Sequence, residues 1–237
     1  MQIAVLTKTM PALIVTLCYV PFMYFMSFIS PVLARSSVRS WSRILLKIYG
    51  VKYQVSGIEN LSTVPKIYAT MHTSFLDTFL YTAFLNTETR YIAKSELAKV
   101  PVFSTAFAKM GNIFVNRKGG GQSLVDLRAD VMSKDKNASF FIHPEGTRGQ
   151  DGSLSPFKKG LGFIAIDRKL SIIPILSDGG SALCPHKKSI PKSGKVRIFV
   201  LPEVSTENWT YDNMSEKLES LRYDMLNALD KILSKKN

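Results

Sequence analysis

Met71-His72-Thr73-Ser74-Phe75-Leu76-Asp77 is the stretch on which the reading of this chain turns. Just upstream, Lys66-Ile67-Tyr68-Ala69-Thr70 follows Pro65 and reads as a short buried strand. Just downstream, Phe75, Leu76, Phe79, Leu80, Ala83 and Phe84 recur at helical spacing and predict an amphipathic helix. At about 100° per residue, Asp77 falls at the edge of that apolar stripe, so it can turn back toward His72 in the strand-to-helix loop. A histidine held by a carboxylate is a general base with a fixed tautomer and a stabilised cation. Alone, the spacing is weak, because a His-x4-Asp pattern arises by chance in many chains. The rest of the sequence has to carry it.

At 237 residues the chain accommodates one good-sized α/β domain plus an accessory segment. A hydrophobic content of 46% with 21% charged residues argues against disorder. The formal charge of +13 calls for an anionic partner: nucleic acid, a membrane surface, or an acidic or phosphorylated substrate. No nucleic-acid motif and no Cys/His zinc spacing occurs, so neither nucleic acid nor a metal is expected. The two cysteines, Cys18 and Cys184, make no disulfide framework and suit a reduced, cytoplasm-facing chain.

Between Lys8 and Arg35 no charged residue interrupts an aliphatic and aromatic run long enough to cross a bilayer once. Pro11, Pro21 and Pro31 and the thin basic start weigh against a secretory leader. Pro21 is expected to break the run, leaving open a kinked helix, a helix pair dipping into one leaflet, or a straight span. Arg35, Arg39, Arg43 and Lys47, interleaved with Trp41 and Ile44-Leu45-Leu46, predict an interfacial helix. Their charge places the following domain on the cytoplasmic side. Residues 1–50 are therefore expected to be a membrane anchor and 51–237 a catalytic domain.

Strand patterns follow at 51–55, 66–70, 90–93, 112–116, 139–142, 172–176 and 196–201. Helical patterns lie between them: a brief one capped by Ser95, one starting at Pro101, one over 123–132 after the Gly119–Gly121 loop, and one over 161–166. A C-terminal helix carries Met214, Leu218, Leu221, Met225, Leu229 and Ile232 on one face. The alternation predicts an α/β fold around one mixed central sheet with flanking helices, preceded by the membrane-anchoring helical segment. Three strand ends deliver polar residues into loops: His72, Arg117 and the Glu145–Arg148 group, with Lys94 a fourth candidate. The crevice beyond the carboxyl ends of strands is where such sheets bind ligands. In Glu145-Gly146-Thr147-Arg148, glycine permits close backbone approach, threonine and backbone N–H groups donate, and arginine grips phosphate.

Taken together, these segments resemble the glycerolipid acyltransferase superfamily, and specifically the bacterial 1-acylglycerol-3-phosphate acyltransferases. His72 and Asp77 match the first block of that family. Lys94-Ser95-Glu96-Leu97, Pro101-Val102-Phe103 and Gly111 to Arg117 match the second. His143-Pro144-Glu145-Gly146-Thr147-Arg148 matches the third, and Ile172-Ile173-Pro174-Ile175 the fourth. Two departures stand out: Met71 where the family often has Asn, and His143 where Phe is common. His143 is expected to pack or hydrogen-bond near the third block.

The resemblance implies transfer of a fatty acyl group from a thioester, on coenzyme A or acyl carrier protein, to the sn-2 hydroxyl of lysophosphatidic acid in the membrane. No further cofactor is implied. His72 would be the base and Asp77 its orienting partner. Arg117 and Arg148 would clamp phosphate, Glu145 would orient an arginine, Gly146 and Thr147 would donate, and Lys94 would assist. No serine or cysteine stands out as a nucleophile, and Ser74 is the one to check. The chain groove is expected to draw on the 75–84 helix or the 172–176 strand. The setting implied is a bacterial inner membrane, with the catalytic domain on the cytoplasmic side. Lys187, Lys188, Lys192, Lys195 and Arg197 form a candidate docking surface or a solvated loop. The competing readings are another lysolipid acceptor such as lyso-ornithine lipid, hydrolysis with His72 activating water, and a non-catalytic basic membrane-binding protein.

Overall fold

Short apolar strands that alternate with helices bury both faces only as the middle layer of a sandwich, and this is the arrangement found. The computed structural model describes residues 2–149, 154–185 and 188–234. Its elements are α1 (Gln2–Ile29), α2 (Pro31–Tyr49), β1 (Val51–Ser56), β2 (Ile67–Thr70), α3 (Leu76–Phe84), β3 (Thr89–Lys94), α4 (Pro101–Lys109) and β4 (Ile113–Val115). There follow α5 (Gly120–Met132), β5 (Ser139–Ile142), α6 (Gly160–Arg168), β6 (Ile172–Asp178), α7 (Gly180–Leu183), β7 (Gly194–Val200) and α8 (Met214–Ser234).

The seven strands form one sheet in the order β1-β7-β6-β2-β5-β3-β4. From β6 to β4 the pairing is parallel, whereas β7 runs antiparallel to β6 and parallel to β1. The expected mixed sheet is therefore present. Strand alternation divides the core in two. Ile67, Ala69, Phe140 and Ile142 face a layer built by α5, α6 and α8, including the expected stripe Met214, Leu218, Leu221, Met225 and Leu229. Tyr68, Phe141, Ile173 and Ile175 face α3 and the end of α2.

Three local expectations are corrected. The glycine triplet is not all loop, because α5 begins at Gly120; the first helical turn asks no intrahelical partner of its N–H groups, so glycine is tolerated there. Ser95 is not a cap: residues Ser95–Lys99 form a 3-10 turn whose cap position is Lys94, with no side-chain cap bond. Pro21 does not break the apolar run, since α1 continues through Pro11 and Pro21 to Ile29. A proline forfeits one hydrogen bond, and packing against α2 and α4 holds the helix across that defect.

The chain turns instead at Ser30, whose extended backbone and side-chain oxygen cap Leu33 N–H while Pro31 occupies the first helical turn. The apolar run is thus one continuous helix, and α2 folds back beside it after Ser30. Thr7–Ile29 is, among the described residues, the one stretch long and apolar enough to cross a membrane. Its outer side carries Leu17, Phe25 and Ile29 at 63%, 63% and 72% exposure.

The arginines of α2, expected on an interfacial helix, make hydrogen bonds within the protein. Spaced four apart on one face, they reach carbonyls at the C-terminal end of α3, in the loop after it and at the end of α4. Arg43 Nε donates to Ala83 O at 2.8 Å, Arg39 to Leu85 O, and Arg35 to Thr87 O and, at 3.0 Å, to Met110 O. Arg35 also pairs with Glu88 at 3.2 Å. This ladder ties α2 to the α3 side of the sheet.

Candidate active site

Five parallel strands point their carboxyl ends to one edge, and the chain leaves β2, β3, β4, β5 and β6 there with His72, Lys94, Arg117, His143–Arg148 and Gly179–Gly180. Asp77 sits in the first turn of α3. Its Oδ2 accepts N–H bonds from Thr73 at 2.6 Å and Ser74 at 2.8 Å, and lies 3.1 Å from His72 Nδ1. One carboxylate oxygen thus closes the loop and holds the imidazole. Burial pushes the Asp77 carboxyl up to about 6, opposed by the positive groups nearby and by the two N–H donors. With Nδ1–H donating to Asp77, His72 presents Nε2 as the basic nitrogen.

The third block grips the His72 peptide from both sides. Glu145, buried, accepts His72 N–H on one carboxylate oxygen at 2.7 Å and Ser155 N–H on the other at 2.9 Å. Gly149 N–H donates to His72 O at 2.8 Å. Among the described residues Glu145 makes no hydrogen bond or ion pair with an arginine, contrary to the expectation that it would orient one; each of its oxygens accepts a backbone N–H. Gly146 likewise is not a spare donor. Its N–H is turned onto His143 O at 3.0 Å, its carbonyl accepts from Arg117, and its φ of +73° suits glycine in this tight turn. Thr147 and Lys94 border the cavity, and Arg148 does so with no hydrogen bond or ion pair among the described residues.

His143 stacks flat on His72, with ring centroids 3.8 Å apart and planes 10° apart. Ser74 is tied down: its hydroxyl donates to Cys184 O at 2.9 Å and accepts from Leu76 N–H, and it is fully buried. It is in no position to act as a nucleophile. One contributor went unread in the sequence. After β6, Gly179 turns with φ +95°, and Gly180 backs onto Asp77, so that a Cβ there would stand 3.5 Å from Asp77 Oδ1. The signal was the Gly-Gly pair directly after a strand.

Next to His72 opens a cavity of about 790 Å³. Its lining includes Lys94, Arg117 and Arg148 together with Val20 and Met23 of α1, Val38 and Trp41 of α2, and Phe103 and Phe107 of α4. Phe75, Thr78 and Thr82 bring the α3 side of the groove, as expected, whereas the 172–176 strand is core and takes no part. Of the basic cluster, Lys187 lies outside the described residues, Arg197 pairs with Asp178 at 2.8 Å, and Lys188, Lys192 and Lys195 are exposed.

Residues 52–178 match the family model described as "Acyltransferase". A 1-acyl-sn-glycerol-3-phosphate acyltransferase of Saccharomyces cerevisiae is 29% identical over 199 residues, 83% of this chain and 66% of that one. The mouse (Mus musculus) 1-acyl-sn-glycerol-3-phosphate acyltransferase alpha is 30% identical over 190 residues, 78% of this chain and 66% of that one. The chain thus spans just under two thirds of the length of these relatives. The crystal structure of the 1-acyl-sn-glycerophosphate acyltransferase PlsC from Thermotoga maritima superposes with a TM-score of 0.77 at 23% identity, covering 97% of this chain and 95% of that one. That likeness is one of fold.

Proposed function

This chain belongs to the acyltransferase family, and we propose that it acylates the sn-2 hydroxyl of 1-acyl-glycerol-3-phosphate at a membrane surface. The observation that carries the reading is a single cavity lined by His72, which Asp77 holds from behind, by two arginines and by apolar side chains of the N-terminal helices. Phosphate, reacting hydroxyl and fatty chain are the three parts such a substrate pair presents.

In this mechanism His72 Nε2 takes the proton of the acceptor hydroxyl as its oxygen attacks the thioester carbonyl. The tetrahedral intermediate collapses by breaking the carbon–sulfur bond, and the departing thiolate takes that proton from His72. Asp77 holds the tautomer and stabilises the imidazolium between the two steps. Arg148 and Arg117 bind the phosphate, with Thr147 and Lys94 beside them. Glu145 acts through backbone, setting the position of His72. The donor is a thioester of coenzyme A or of acyl carrier protein. With Ser74 buried and bonded, attack is direct and no acyl-enzyme forms.

The exposed apolar side of α1 and the Ser30 turn suit a hairpin that enters one leaflet and keeps the catalytic layer at the cytoplasmic surface. An insoluble acceptor then reaches His72 without leaving the bilayer. The test is acyl transfer by the wild type, His72→Ala and Arg148→Ala across lysophosphatidic acid, other lysophospholipids and a phosphate-free lysolipid. His72→Ala should abolish transfer to every acceptor, and Arg148→Ala should cost most with phosphate-bearing ones. Turnover of the phosphate-free acceptor in preference to lysophosphatidic acid, or release of free fatty acid instead of transfer, would overturn it.

A further inference from the structure

A buried aromatic ring lying flat against a catalytic base is in contact with whatever charge that base acquires. His143 leaves the end of β5 beside the end of β2, and its Nδ1 stands 2.8 Å from Thr70 Oγ1 and 3.2 Å from Thr70 O. Phe141 meets it edge-on at 4.8 Å. The ring is thereby fixed from below while its face covers His72 at 3.8 Å. Enclosure, and the second imidazole beside it, hold the His143 pKa down to about 3, so this ring stays neutral when His72 is charged. Asp77 lies 3.1 Å from His72 Nδ1, so the carboxylate is paired with His72.

We propose that His143 is a positioning residue for the base: its neutral ring, stacked on His72, fixes the imidazole plane and stabilises by its π-face the imidazolium formed when the acceptor hydroxyl gives up its proton. The other titratable groups facing the pair are Asp77 and Tyr81 from α3, Glu145 and Arg148 after β5, Arg117 after β4, and Cys184 behind Ser74. Among these, His143 alone stacks on the His72 ring. A π-face at this distance also explains how a histidine serves where the resembled family commonly has phenylalanine. What is required is an aromatic face that does not take the proton.

The inference rests on His72 being the base for acyl transfer, and the full chain in detergent or vesicles tests it with three variants. His143→Leu and His143→Met remove the aromatic face, whereas His143→Phe keeps it and discards both ring nitrogens. In the Leu and Met variants kcat should fall about tenfold at unchanged KM. The acidic limb of kcat/KM should move about one unit lower, because the His72 cation has lost its support. His143→Phe should restore both to within about threefold of the wild type. NMR titration of ring-labelled histidines reads the same His72 shift without turnover, so an inactive wild type would sink the acyl-transfer reading and leave this one still tested. Unmoved kinetics and an unmoved His72 titration in the Leu and Met variants would refute the proposal. So would a Phe variant as impaired as Leu, which would assign the effect to the Thr70 hydrogen bond rather than the ring.

Discussion

Glu145→Gln separates a residue that positions the base from one that serves the phosphate. In the wild type each carboxylate oxygen accepts one backbone N–H, from His72 at 2.7 Å and from Ser155 at 2.9 Å. Glutamine offers one acceptor and sets an NH2 group against the other N–H. One charge-assisted hydrogen bond, worth about 1.5–3 kcal/mol, is lost, and a donor is left facing a donor. Part of this is offset, because burial raises the Glu145 pKa and the amide no longer carries that buried charge. A net loss of about 2 kcal/mol remains, or roughly 4–8 °C in Tm for a chain of this size. The catalytic consequence comes through the His72 backbone. A displacement of order 1 Å at the base costs about a hundredfold, so kcat should fall by about ten- to a hundredfold while the acceptor KM stays unchanged. Steady-state assays with lysophosphatidic acid and with a phosphate-free lysolipid should record equal losses. A raised KM for the phosphate-bearing acceptor with kcat intact would refute the reasoning and return Glu145 to the phosphate.

Asp77 should set stability against activity. Its folded carboxyl is held at about 6, against about 3.9 in an unfolded chain, so the folded state keeps a proton that the unfolded state has released. Stability should therefore fall as pH rises from about 4 through 6, by up to about 3 kcal/mol, while acyl transfer rises over that range as the orienting carboxylate ionises. Asp77→Asn should be more stable than the wild type at pH 7 in denaturant titrations, yet on the order of a thousandfold slower; equal stability would contradict the burial argument. Arg39→Met should leave Leu85 O unpaired at a cost of about 1.5–3 kcal/mol. Hydrogen exchange in α2 and around residues 83–87 should then rise together, and exchange confined to α2 would show that the ladder does not couple the two.

The elements and the His72–Asp77 pair were legible because local rules specify them. Alternation and short apolar runs bounded by turn residues yielded the strands, and 3.6-residue recurrence yielded α3 and α8. Spacing brought Asp77 back toward His72 because a helix's first turn faces the loop that precedes it. What the sequence did not show was the partners: Glu145 was expected to orient an arginine and Arg35, Arg39 and Arg43 to lie on an interfacial helix, and each hydrogen-bonds to backbone groups. A charged side chain in a sequence announces that it needs a partner, and a carbonyl left over at the end of α3 satisfies that need as well as a phosphate does.

By itself, then, the amino-acid sequence determined the α/β alternation, the apolar N-terminal run, the His–Asp spacing and the ordered blocks that carry the resemblance. These depend on separations of a few residues along one strand, helix or loop. Only the tertiary structure decided that His143 stacks on His72, that Glu145 and Gly149 hold the His72 peptide, that Gly180 backs Asp77, and that α1, α2 and α4 wall the cavity. The contacts about His72 and Asp77 join residues from about 70 to more than 100 positions apart, through a sheet order in which β2 lies between β6 and β5. Local periodicity says that a strand exists and is silent about which strands become its neighbours; burial of the whole apolar surface settles that.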